Sequence, residues 1–176
     1  MTRSAGAARI CGLAMGLGAL FGCTDNAPPQ GQPSFYQDLA GPAGILDAEA
    51  AQSMISGYRR NNGLSAVTLD PELMRLASEQ ASAMAASGKL DHEVAHPFQE
   101  RIRKSHFDAS VAVENVGAGY HTLAEAFSGW RDSPPHRANM LNASVTRMGI
   151  AAVYTPKSKY KVFWSLILAA PDERKS

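Results

Sequence analysis

The segment Tyr160-Lys-Val-Phe-Trp-Ser-Leu-Ile-Leu168 constrains the fold most, because apolar side chains stand at both phases of a strand. Val162, Trp164 and Leu166 alternate with Phe163 and Ile167. Successive strand residues face opposite sides of a sheet, so this strand needs cover on both faces. Met148-Gly-Ile-Ala-Ala-Val-Tyr154 reads as its partner, joined to it through Pro156-Lys-Ser-Lys159.

The cover has to come from helices, whose period dominates the chain before residue 142. From Asp47, an N-cap residue, Ala51, Met54, Ile55 and Tyr58 recur at helical spacing until Asn61-Asn62-Gly63. Asp70-Pro71 joins a cap to a first-turn proline, and Leu73, Leu76, Ala77, Gln80, Ala81 and Met84 trace one face up to Gly88. Thr122-Leu-Ala-Glu125 is a capping box, with Leu123, Phe127 and Trp130 on one face behind it. A short helix restarts at Pro134 or Pro135 and carries His136 to Leu141. Helices followed by an antiparallel hairpin predict a layered α+β domain.

The N-terminus has a different character. Arg3 and Arg9 precede a short apolar stretch, Ile10 to Ala19, which ends at Leu20-Phe21-Gly22-Cys23. A basic region, a short apolar region and small residues form a signal peptide, and the stretch falls short of the roughly 20 apolar residues of a spanning helix. The arrangement resembles a bacterial lipoprotein signal, which implies acylation at Cys23 and a location on the cell envelope, the outer membrane in a Gram-negative cell; the alternative is an ordinary secretory signal and a secreted or periplasmic protein. The expected organisation is a signal over 1–22, a Pro- and Gly-rich flexible tether over 23–46, a domain over 47–170 and a polar tail over 171–176. Removing 22 of 176 residues takes two of 17 basic and none of 16 acidic side chains, which leaves 154 residues with a formal charge of −1. That balance predicts no nucleic-acid partner. Of two cysteines, Cys11 falls in the removed segment, so no disulfide framework is expected.

Three stretches carry side chains capable of chemistry: His92-Glu-Val-Ala-His96, Glu114-Asn115 and Ser133-Pro-Pro-His136-Arg137. The first matches the zinc metalloprotease pattern of two histidines four apart with a glutamate between. That mechanism needs a continuous helix, and Pro97 disfavours helical backbone at His96 while Gly88 leaves little helix before His92. No nucleophile-elbow or phosphate-loop pattern occurs, and no catalytic residue is assigned.

Taken with Gly63-Leu64, the long helix before His92, Trp130, Asn139-Met-Leu141 and Met148-Gly-Ile150, these stretches resemble the CAP superfamily (SCP-like). That family includes cysteine-rich secretory proteins, plant pathogenesis-related proteins and many secreted bacterial proteins. The resemblance spans about residues 47–170 and rests on the order of the motifs. It implies an α-β-α sandwich with an antiparallel sheet between helices, and a cleft lined by His92, Glu114 and His136. The second glutamate of eukaryotic members corresponds to Ser133 here, and Asn115 is implied to hold local backbone. Two imidazoles and a carboxylate are a donor set for Zn²⁺ or another divalent metal with one position open. The function implied is a non-catalytic binding module for a hydrophobic ligand, a cell-wall component or a protein partner. The alternative is a metal-dependent hydrolase or peptidase using the same cleft.

Overall fold

The computed structural model describes residues 1–2, 31–94, 96–172 and 174. Cys23, nearly all of the expected signal segment and the first part of the expected tether lie outside the described residues, as does half of the expected polar tail.

Each expected helix forms, and the expected residues start and stop it. Helix α1, Ala48–Asn61, begins where Ala50 N–H donates to the Asp47 carboxylate at 2.8 Å. Helix α2, Pro71–Ser87, follows strand β1, Thr68–Leu69. The Asp70 carboxylate caps α2 by accepting from Glu72 and Leu73 N–H, and Gly88 closes it in the left-handed region at φ 69°, where a side chain would be strained. Helix α3 covers Phe98–Lys104, and strand β2 covers Ala109–Ala118. Helix α4, Leu123–Asp132, carries the reciprocal Thr122–Glu125 capping box. Helix α5, Pro134–Met140, starts immediately after Ser133. The chain ends in strands β3, Arg147–Tyr154, and β4, Val162–Pro171.

The sheet order is β1-β3-β4-β2. β4 is central and pairs antiparallel with both β3 and β2, while the two-residue β1 pairs parallel with β3 at the far edge. The even residues Val162, Trp164, Leu166 and Leu168 pack with Ala51 and Ile55 of α1, Leu123 and Trp130 of α4, and Met140 of α5. The odd residues Phe163, Ile167 and Ala169 face Leu73, Leu76 and Met84 of α2 and Ile102 of α3. This is the three-layer α-β-α arrangement demanded by a strand apolar at both phases. The α2 layer approaches β3 so closely that a Cβ on Gly149 would collide with the Leu73 carbonyl.

One boundary differs from expectation. Residues 34–46 do not form the second half of a free tether: Leu39 is buried in the core, and Phe35, Ala40 and Leu46 pack against it. Leu39 N–H also donates to His121 O at 2.7 Å. These four apolar side chains supply burial that a solvated linker would forgo.

Candidate functional site

The site forms at the outer edge of β2, where the register sends neighbouring residues to opposite layers. Glu114 points into the α2/α3 layer and Asn115 into the α4/α5 layer. Each anchors one histidine-bearing segment.

The Glu114 side chain is only 1% exposed, and its two oxygens are fully engaged. Arg101 Nη2 donates to Oε1 at 2.9 Å and to Oε2 at 3.0 Å. Ser165 Oγ, on β4, donates to Oε1 at 3.2 Å, and His92 Nδ1 lies 2.9 Å from Oε2. Arg101 is itself 6% exposed. Its Nε also donates to His96 O and its Nη2 to His92 O, each at 3.2 Å. Arg101 thus ties the His92–His96 segment to the carboxylate. Gln80, buried on α2, holds the start of that segment by donating to Asp91 O at 2.7 Å.

His92 is 47% exposed and presents its other ring edge outward. Its pKa is raised above the ordinary histidine value, first by the Glu114 hydrogen bond, because the carboxylate favours the imidazolium. His136, on α5, has a lowered pKa, first from burial and second from the charge of His92. His92 therefore lies close enough to oppose the protonation of His136.

On the α4/α5 side the anchors are amides. Asn115 Nδ2 donates to His136 O at 3.0 Å, and Asn139 Nδ2 donates to Asn115 Oδ1 at 2.9 Å and to Glu114 O at 3.1 Å. An amide that both donates and accepts suits this bridging position. The far end of α5 is held by Arg59, which is fully buried and, among the described residues, has no carboxylate partner. Its guanidinium donates to the carbonyls of Ser65, Met140, Asn142 and Val145 at 2.8–3.0 Å.

An open cavity of about 330 Å³ lies here, lined by His92, Glu114, Pro97, Phe98, Ala112 and Asn139 among others. His136 is outside that lining, one helical turn before Asn139. His96 faces a different cavity, with Arg75 and Glu100. Residues 92–94 form a turn and α3 starts only at Phe98, so the two histidines four apart do not share a helix.

The fit to a metal is poor. Among the described residues no three His, Cys, Asp or Glu side chains gather closely enough to hold an ion. The carboxylate expected as the third ligand already accepts from a guanidinium, a hydroxyl and an imidazole. Sequence reasoning missed Arg101 and Ser165 entirely and gave Asn139 no role. The available signal for Arg101 was the lack of any acidic residue three or four positions away, unlike Arg75 and Lys104, which pair within their own helices.

The model of the cysteine-rich secretory protein family, CAP, matches residues 52–168, more than half the chain. The uncharacterized protein YkwD of Bacillus subtilis (strain 168) is 28% identical over 103 residues, which cover 57% of this chain and 40% of that protein. Among solved structures, an outer surface protein of Borrelia burgdorferi is similar, with a TM-score of 0.64 and 18% identity over 72% of this chain and 97% of that one. An extracellular SCP-domain protein of Bacillus anthracis str. Ames has a TM-score of 0.60 and 20% identity over 69% of this chain and 39% of its own. The chain thus spans about two fifths of the length of YkwD and of the anthrax protein, and nearly all of the Borrelia protein.

Proposed function

The chain belongs to the cysteine-rich secretory protein family, and on that premise we propose that it is a non-catalytic binding module of the cell envelope. Its cleft beside His92, Glu114 and His136 holds a hydrophobic ligand, a cell-wall component or a protein partner. The observation that carries this reading is the state of Glu114. A general base needs a free carboxylate oxygen within reach of substrate, whereas both Glu114 oxygens are bonded inside the protein and shielded from solvent. A catalytic zinc site needs three protein ligands and an open position, and the same bonds remove the third ligand. Divalent metal binding, on this reading, rests on the imidazoles alone and is weak.

The envelope setting rests on the lipoprotein-like signal ending at Cys23 and on the names of the extracellular and outer surface relatives. Acyl chains on Cys23 would hold the module at a membrane by about 0.8 kcal/mol per buried methylene. The test is native extraction from membranes followed by mass spectrometry of co-purified material, for wild type and a His92→Ala/His136→Ala variant. A ligand retained by wild type and lost from the folded variant supports the reading. A ligand retained equally by both sinks it.

A further inference from the structure

β2 ends the sheet, so among the described residues one of its edges has no neighbouring strand. Gly119 N–H bonds Val162 O, so in this antiparallel register the odd-numbered residues of β2 turn their backbone groups towards β4. The even-numbered ones turn theirs to the free edge. Two of the outward carbonyls are capped by side chains, Glu114 O by Asn139 Nδ2 and Val116 O by Trp130 Nε1 at 3.3 Å. The capped half of the strand is buried and the half before it is not.

The N–H and C=O of Ala112 and the N–H of Glu114 have no partner on that side among the described residues. They border the 330 Å³ cavity, beside His92, Pro97 and Phe98. An acceptor flanked by donors two residues apart, a span of about 7 Å in a strand, matches the repeat of an extended peptide backbone. Lipid tails lack donors and acceptors, and glycan hydroxyls do not follow this repeat.

We propose that the cleft takes an extended polypeptide segment as an added strand, bonded to Ala112 and Glu114 of β2. This deepens the binding-module reading and rests on it. Side chains of an added strand alternate between two directions, one set towards Pro97 and Phe98, the other towards Asn139 and α5. The segment that fits therefore alternates apolar with hydrogen-bonding residues. Asn139 and Trp130 set where it stops, because their N–H groups occupy the carbonyls that the next turns of the ladder would use. Such edge pairing is a recurring mode of peptide recognition, and an edge protected over only half its length directs it to one place.

The probe is an array of random acetylated heptapeptides, offered to the full-length chain extracted in detergent. The strongest binder is then resynthesised with N-methyl groups on one or the other alternate set of amides. The expected result is that one phase of methylation weakens binding about tenfold or more, as loss of hydrogen bonds with an amide left unpaired implies, while the other phase does not. Binding should also slow hydrogen exchange at Ala112 and Glu114. Ala112→Pro, which removes an outward N–H and spares the ladder to β4, should reproduce the loss. If that variant fails to fold, the methylated peptides on wild type decide alone. No binder, or a binder indifferent to both phases, overturns strand addition. A non-peptide ligand lost from the His92→Ala/His136→Ala variant would leave the binding module standing while removing this mode.

Discussion

Arg101 decides what Glu114 is for. A buried carboxylate with a buried guanidinium is a structural pair, and removing one member strands the other. Arg101→Met should therefore cost about 3–5 kcal/mol, measured by chemical denaturation, whereas a loss below about 1 kcal/mol would show Glu114 free to serve other roles. The imidazoles titrate in opposite directions. The raised pKa of His92 adds stability that is fully present below the unfolded value of about 6.5 and is lost as pH rises through the folded value. His136 has a lowered pKa, so it withdraws stability as pH falls below the unfolded value. Proton NMR titration should place His92 above and His136 below that reference. In His92→Ala, His136 should rise yet stay below it, because burial is its larger cause. The reverse order would contradict the geometry of the site.

At the scale of elements, caps and close approaches carry the architecture. Gly149→Ala would drive a methyl group into the backbone of α2 at Leu73, and neither partner is a flexible side chain. Its expected cost is above about 2 kcal/mol, seen as a fall in Tm. A near-neutral result would mean that the α2 layer slides easily over the sheet. Elements whose signals are local were legible in the sequence: Asp47, Asp70-Pro71, Gly88 and the Thr122–Glu125 box set helix ends by chemistry within four residues. β2 was not legible, because Ala-Ser-Val-Ala-Val-Glu-Asn-Val-Gly-Ala shows no clean alternation, and its strand character comes from pairing with β4. α3 was missed because seven residues give too few repeats to show a period. The candidate site inherited both gaps. His92, Glu114 and Asn115 stood out as motif residues, while the partner that disarms Glu114 sits on one unrecognised element and Glu114 itself on the other.

For the whole molecule, the proposed function joins an envelope tether to a domain whose cleft would bind and not cut. Acylation at Cys23 is expected to appear in the intact mass of membrane-extracted protein, and a mature chain starting at another residue would detach the module from its proposed setting. The central claim is that the Arg101–Glu114 pair leaves the cleft without a base or a three-ligand metal site. Its most direct test is a hydrolysis screen of peptide, ester and glycan substrates by the wild-type chain, with and without added Zn²⁺. No turnover above the blank is expected under either condition. Turnover that disappears in a folded Glu114→Gln variant would contradict it.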